Sequence, residues 1–155
     1  MEITEELNGG MVSNSDAVKL LLDERAIRDR LYRYCHALDR GDTEGLRACY
    51  HSDGVNVQNG VEVGVDAYMD HLVARVATQG EKQHILGNIL IEVAGDAAIT
   101  ISSYTCFVHY IDRDSVLVGG RYIDRFERRA DEWRIVRRQA LVDWSVDVTS
   151  LGASS

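Results

Sequence analysis

The sequence predicts an α+β domain in which helices come first and an antiparallel sheet follows. Two observations support this prediction. Up to about residue 78 the apolar residues recur mainly at helical spacing, apart from two short strands within 54–64, whereas from about residue 83 they follow the pattern of long strands. Short turn signals near 94–96, 112–115 and 130–132 then divide the second half of the chain, as in an antiparallel meander.

The first helix is predicted to begin at a cap formed by Ser15 or Asp16 and to run to about Arg40. Gly41 follows as the residue that ends it, since glycine adopts the left-handed conformation of a helix C-terminus at little cost. The apolar residues of this segment fall on one helical face, which we expect to be buried. They are Ile27, Leu31, Cys35 and Leu38.

Three shorter elements are predicted between this helix and the long strands. A second helix covers TEGLRACY, residues 43–50. The segment GVNVQNGVEVG reads as two short strands joined by a turn at Asn59-Gly60. A third helix runs from about Val65 to Thr78, and its predicted buried face holds Val65, Met69, Leu72 and Val76.

Four long strands are predicted within 83–95, 96–111, 115–129 and 132–147. Side chains alternate between the two faces of a strand, which divides the first of these strands into two sets. His84, Leu86, Asn88 and Leu90 form the set expected to face the helices. Ile85, Ile89, Ile91 and Val93 form the set expected to point outward.

Length and composition predict one globular domain. The 155 residues suffice for a single core, which we place at 15–148, with flexible tails at 1–14 and 149–155. The net charge of -8 argues against nucleic acid or an anionic membrane as the main partner. The basic segment RFERRADEWRIVRR is interleaved with acidic residues, and we interpret it as a solvated strand face.

Cysteine usage and the N-terminal sequence predict a cytoplasmic protein. Three cysteines without a CxxC pair indicate reduced thiols rather than a disulfide framework. The N-terminal residues lack the apolar core of a signal peptide, and no apolar run has the length of a membrane span.

Motifs for cofactor chemistry are missing from the sequence. It contains no GxSxG, GxGxxG, phosphate-binding loop or HExxH. The histidines at 36, 51, 71, 84 and 109 do not fall at metal-ligand spacing, and we expect His36, His51 and His71 on the surface. The sequence therefore predicts no metal and no cofactor, so that any chemistry uses side chains alone.

Asp39 and His84 are the candidate chemical groups. Asp39 continues the buried series of the first helix at i+4 spacing, although a helix C-terminus disfavours negative charge. His84 opens the first long strand. On spacing alone, Asp39 also fits a frayed helix end and His84 a lone strand-end histidine. If both face one cavity, the carboxylate would orient the imidazole and increase its basicity.

Three stretches of the chain resemble a known family: AIRDRLYRYCHALDRGDTEGLRACYHSDGV, QHILGNILIEVAGDAAITISSY and VGGRYIDRFERRADEWRIVRRQALVDW. Together they resemble the SnoaL-like branch of the nuclear transport factor 2 superfamily over about residues 20–146. The resemblance implies a cone, in which a curved antiparallel sheet wraps around three helices and leaves a pocket at its mouth. Scytalone dehydratase, bile-acid 7α-dehydratase and hexachlorocyclohexane dehydrochlorinase share an Asp–His pair, and the matching positions here are Asp39 and His84.

The same resemblance implies further pocket residues. The dehydratases hold a substrate carbonyl with tyrosines, and Tyr34 matches one of these, with Tyr50 as a second candidate. His109 falls on the strand that carries a second pocket histidine in scytalone dehydratase. Asn88 is added as a polar residue on the expected His84 face. We expect Tyr34 to act with the pair, and Tyr50, Asn88 and His109 are the candidates to bind substrate. Tyr50 also fits ordinary core packing, and His109, near a hairpin end, also fits an exposed position.

The resulting functional hypothesis is a cofactor-independent lyase or isomerase for a small hydrophobic, cyclic substrate with hydroxyl or carbonyl groups. Two alternatives stay open: a non-catalytic cone resembling the β subunit of ring-hydroxylating dioxygenases, and a cone that only binds a small molecule. The apolar outer face of the first long strand also predicts a homo-oligomer, and the family resemblance implies a trimer or a dimer.

Overall fold

The computed structural model describes residues 13–58, 60–76 and 79–148. These residues form three helices, α1 (Asn14–Arg40), α2 (Thr43–Ala48) and α3 (Val65–Val76). They also form six strands: β1 (Tyr50–Gln58), β2 (Val61–Gly64), β3 (Gln79–Ala94), β4 (Ala97–Tyr110), β5 (Ser115–Arg129) and β6 (Glu132–Val148). The predicted α+β fold with three N-terminal helices and a curved sheet is confirmed. The proposed tails lie outside the described residues, apart from Ser13, which caps α1, and Asn14, its first residue.

Helix α1 begins at Asn14 and is capped by Ser13, two residues before Ser15, the earlier of the two predicted caps. The Ser13 side-chain oxygen accepts a hydrogen bond from the backbone N–H of Asp16 at 3.1 Å. Gly41 ends the helix in the left-handed conformation with φ 66°, as predicted. The apolar stripe of α1 is buried against the sheet, and Tyr34 is buried with it. The C-terminal turn of α1 lies next to the first half of β3, where Asp39 contacts His84.

The six strands form one open sheet with the order β2-β1-β6-β5-β4-β3. Strands β3 to β6 make the predicted antiparallel meander. Strand β1 differs, because it pairs with β6 in parallel and makes the sheet mixed. No hairpin turn joins these two strands, so local turn chemistry does not dictate their relative direction.

A β-bulge changes the face of β3 halfway along the strand. The pairing of β3 with β4 shifts register between Leu86 and Ile89. The extra residue reverses the alternation, since a bulge places two residues opposite one. The outward orientation expected for Ile89, Ile91 and Val93 is therefore wrong, because these side chains pack against the core. Leu90 instead points outward and is 66% exposed.

A buried ion pair lies beneath the cavity between the helices and the sheet. Arg138 and Asp124 form two hydrogen bonds, Nε to Oδ1 and Nη2 to Oδ2, each 2.7 Å long. The guanidinium lies 3.8 Å from the ring centroid of Tyr34 and 4.3 Å from that of Tyr122. Interpreting the whole basic segment as a solvated face is therefore wrong for Arg138, which is 1% exposed.

Among the residues that the structure describes, no helix is long and apolar enough to cross a membrane.

Candidate active site

A partly open pocket of about 250 Å³ lies between the helices and the inner face of the sheet. Its deep end is built from the buried tyrosines of α1, α3, β4 and β5, and its wall includes aliphatic side chains and one thiol. Five tyrosines are among the described residues that line it: Tyr34, Tyr68, Tyr104, Tyr110 and Tyr122. The pocket therefore offers aromatic surface together with phenolic hydroxyl groups.

Asp39 and His84 are in direct contact beside this pocket. The Nδ1 atom of His84 lies 2.6 Å from Oδ1 of Asp39. The backbone N–H of His84 also donates to both carboxylate oxygens, at 3.1 and 2.9 Å. Because an ionised carboxylate only accepts hydrogen bonds, Nδ1 is the protonated nitrogen in this pair. The Nε2 atom is then the ring atom left to exchange a proton.

The positions of both residues follow from local structure. Asp39 lies in the last turn of α1, where the exposed carbonyls disfavour a carboxylate. Its contacts with His84 compensate, since they bring two N–H groups, the backbone N–H and Nδ1–H, to the negative charge. His84 lies on the inner face of β3 before the bulge, opposite Cys106 of β4. The side chains are 15% and 10% exposed for Asp39 and His84 respectively.

Of these two residues, His84 contributes to the pocket wall and Asp39 does not. Asp39 lies behind the imidazole and borders a separate surface groove, which it shares with His36 and Arg40. A ligand in the pocket would thus meet the imidazole, while the carboxylate acts through it. This arrangement suits a base whose orientation is fixed by a second group.

Tyr34 reaches the same pocket from α1. Its hydroxyl oxygen lies 2.7 Å from that of Tyr68 on α3, and both rings line the cavity. Burial raises the pKa of Tyr34, and the nearby charge of Arg138 only partly offsets this. Burial also raises the pKa of Tyr68. Both phenols are therefore neutral at physiological pH and can donate hydrogen bonds.

Three residues expected to bind substrate lie elsewhere. Tyr50 belongs to β1 rather than α2, and it is fully buried behind the pocket, where its hydroxyl accepts from Asn56 at 3.0 Å. Asn88 lies at the bulge and is exposed, so it does not share the His84 face. His109 is on the outer face of β4, and its Nδ1 lies 3.0 Å from the hydroxyl of Ser115. The expectation that these residues line the pocket is wrong.

Several pocket residues were missed by sequence reasoning. Tyr68 follows Val65 by three residues and precedes Leu72 by four, which is the spacing of one helical face. Tyr104 and Tyr122 stack with ring centroids 4.4 Å apart, and they occupy inward positions of β4 and β5. Lys82 precedes His84 by two residues and so shares its face. These periodicities were available in the sequence.

The remaining histidines lie away from the pocket. His36 and His71 are exposed, as expected. The surface position expected for His51 is wrong, because β1 begins at Tyr50 and includes this residue. His51 is buried, and its Nε2 lies 2.9 Å from the carbonyl oxygen of Glu127. Within the described ranges, no group of three or more His, Cys, Asp or Glu side chains is placed to hold a metal ion.

Comparison with known proteins identifies both a family and a fold. The family model described as a SnoaL-like domain matches residues 19–139. A proposed scytalone dehydratase from Novosphingobium aromaticivorans superimposes with a TM-score of 0.79 at 23% identity, covering 86% of this chain and 92% of that chain. None of the curated proteins compared with the chain matched it.

Two further solved structures have the same fold. The hexachlorocyclohexane dehydrochlorinase LinA-type3 from Novosphingobium barchaimii gives a TM-score of 0.79 at 18% identity, covering 87% of this chain and 96% of that chain. A proposed aromatic ring hydroxylase from Novosphingobium aromaticivorans gives 0.76 at 22% identity, with coverage of 83% and 94%. At these identities the likeness shows the fold alone.

Proposed function

The chain belongs to the SnoaL-like domain family, and from this premise we propose that it is a cofactor-independent lyase or isomerase. Its substrate is a small hydrophobic, cyclic molecule with hydroxyl or carbonyl groups. The observation that carries the proposal is the Asp39–His84 contact at the wall of a tyrosine-lined pocket. The dehydratase and dehydrochlorinase among the structural neighbours are consistent with elimination chemistry.

The proposed reaction begins with proton transfer to His84. Its Nε2 removes a proton from a carbon next to the substrate carbonyl, and the Asp39 carboxylate stabilises the resulting imidazolium. Tyr34 donates a hydrogen bond to the enolate oxygen that develops. In an elimination, the neighbouring C–O bond breaks and the imidazolium returns its proton to the leaving hydroxide, which departs as water. In an isomerisation, the proton returns to a different carbon.

The pocket also bears on the two alternatives. A non-catalytic assembly subunit does not need a cavity lined by polar groups, so the hydroxyls and imidazole of this wall support an enzyme or a binding protein instead. A protein that only binds small molecules could use the same pair to orient its ligand. Turnover separates these two functions.

We also propose that the protein forms a homo-oligomer through the outer face of its sheet. The bulge changes which residues form this face, yet the face stays apolar. Leu90, Ile99 and Ile101 are each at least 40% exposed. Such a cluster is more apolar surface than a monomer usually leaves in water, which supports an oligomer. The family resemblance alone favours a trimer over a dimer.

The activity is tested by a substrate screen. Cyclic hydroxy ketones and hydroxysteroids are incubated with the protein, and loss of water is followed by ultraviolet absorbance of the conjugated product. On a substrate found in this way, His84→Ala should lower kcat roughly 10²–10⁴-fold, because it removes the base. Asp39→Asn should keep the fold while lowering kcat, since an amide stabilises the imidazolium less and permits the wrong tautomer.

His71→Ala is the matched control, because His71 is an exposed histidine on α3 outside the pocket. It should leave kcat unchanged. Full activity of His84→Ala would refute the mechanism. Tight binding of many screened compounds without turnover would instead assign the pocket to ligand binding.

A further inference from the structure

The charge of the pocket wall is opposite to that of the whole chain. The protein carries a net charge of -8. Among the described residues, the pocket wall nevertheless contains Lys82 and Arg75 and no aspartate or glutamate. Both basic residues lie at the open end, whereas the tyrosines of α1, β4 and β5 in the deep end are buried. The open end thus brings two basic side chains together, without an acidic one among the described residues that line it.

The two cations come from different elements and face the same cavity. Lys82 precedes His84 by two residues on β3, which separates their Cα atoms by about 7 Å on one face of the strand. Arg75 comes from the last turn of α3. The Nζ atom of Lys82 donates to Oε1 of Gln79 at 3.3 Å, so its hydrogen-bond partner here is neutral.

The environment of Lys82 disfavours its positive charge. Burial lowers the pKa of Lys82, and the charge of Arg75 lowers it further. Asp39 acts in the opposite direction, but its carboxylate is held by three hydrogen bonds from His84 and lies outside the pocket wall. An anion between Lys82 and Arg75 would offset their repulsion and hydrogen-bond to both. A purely apolar ligand would partly desolvate the Lys82 ammonium without replacing its hydrogen bonds to water.

We propose that the substrate carries a carboxylate, which Lys82 and Arg75 hold at the open end of the pocket. The substrate is then a small hydrophobic keto acid or hydroxy acid. Its ring lies against the tyrosines, and the spacing of Lys82 and His84 along β3 brings a carbon a few bonds from the carboxylate to the imidazole. This inference refines the proposed function by naming the substrate class, but carboxylate binding itself requires no turnover.

The experiment uses two probes that differ in charge and hardly in shape, naphthalene-2-carboxylate and naphthalene-2-carboxamide. Their dissociation constants are measured by titration calorimetry on the full chain. The carboxylate should bind roughly tenfold more tightly, as expected for charge-assisted hydrogen bonds at a partly buried site. Lys82→Gln and Arg75→Gln should each reduce this preference, and added salt should weaken carboxylate binding alone.

Arg33→Gln is the matched control, because it also removes one positive charge but lies on the exposed side of α1, paired with Asp29. It should keep the preference for the carboxylate. Equal affinity of the native protein for both probes, or no carboxylate binding at millimolar concentration, would overturn the proposal. A preference that survives in both pocket variants, or disappears in Arg33→Gln, would overturn it as well.

The outcome is independent of the catalytic proposal. His84→Ala should retain the carboxylate preference, since the imidazole is not one of the two cations. A carboxylate preference with no loss of water from any keto or hydroxy acid would keep the subsite and refute the lyase. Loss of water from neutral substrates, together with equal affinity for the two probes, would support the lyase and refute the carboxylate subsite.

Discussion

At the residue scale, Tyr34 is held by contacts on several sides. Its hydroxyl meets that of Tyr68, the Arg138 guanidinium covers its ring, and the ring of Tyr122 approaches edge-on with centroids 6.0 Å apart. Packing of this kind fixes the rotamer of the phenol before a ligand arrives. A fixed donor stabilises a developing oxyanion better than a mobile one, because no reorganisation accompanies the reaction.

We predict unequal effects for the two tyrosines. Tyr34→Phe should lower kcat roughly 10²–10³-fold, because it removes a hydrogen bond to the oxyanion. Tyr68→Phe should cost only about tenfold, since this hydroxyl acts through Tyr34. Steady-state kinetics on a substrate from the dehydration screen measure both values, with circular dichroism as the check on folding. A larger loss for Tyr68→Phe would assign the donor role to Tyr68.

Two ion pairs show which contacts between single residues could be predicted from the sequence and which could not. The contact between Asp39 and His84 was expected from the family resemblance, since helical spacing and strand alternation allowed it but also fitted a frayed helix end and a lone strand-end histidine. The pair of Asp124 with Arg138 was missed, since charged residues in a basic segment suggest solvent exposure. Asp124 does alternate with the buried aromatics Tyr122 and Phe126, which is a usable sign of its inward orientation.

At the element scale, the bulge in β3 decides which side chains reach the core. Periodicity predicted where the helices and long strands lie, because one buried face leaves a regular pattern. It failed beyond Leu86, where alternation continues in the sequence but not in the strand. Gly87 was the available signal, since a glycine inside a strand often marks a bulge. The parallel β1–β6 pairing left no local signal, because it joins segments about 80 residues apart.

The bulge makes a testable prediction for two adjacent residues. Ile91→Ala should lower the free energy of unfolding by about 2 kcal/mol, because Ile91 packs against the core. Leu90→Ala should change it by less than about 0.5 kcal/mol, since that side chain points outward. Urea denaturation at low protein concentration measures both. The reverse order of destabilisation would show that β3 alternates without a bulge.

At the scale of the whole molecule, the outer face of the sheet carries a row of apolar side chains. Leu90, Ile101 and Ile123 are aligned across β3, β4 and β5 by the strand register. Ile99 adds a further exposed side chain on β4. A second subunit packed on this row would bury surface that water otherwise contacts.

We predict that Ile101→Asp converts the protein from an oligomer to a monomer, because it places a charge at the centre of this row. Light scattering after size exclusion at micromolar concentration gives the mass. Val18→Asp is the control, since Val18 is exposed on α1 rather than on the sheet. A monomeric mass for the native protein would end the proposal, as would an unchanged mass for Ile101→Asp.

The parallel pairing of β1 with β6 has a consequence for the order of events during protein synthesis. Strand β1 leaves the ribosome early, but its partner is the last strand to be made. Until then, the edge of β1 that faces β6 has no strand to bond. Pairing segments so far apart also closes a long loop, which slows folding. The complete sheet, with Arg138 on β6, therefore forms only after nearly the whole domain has been translated.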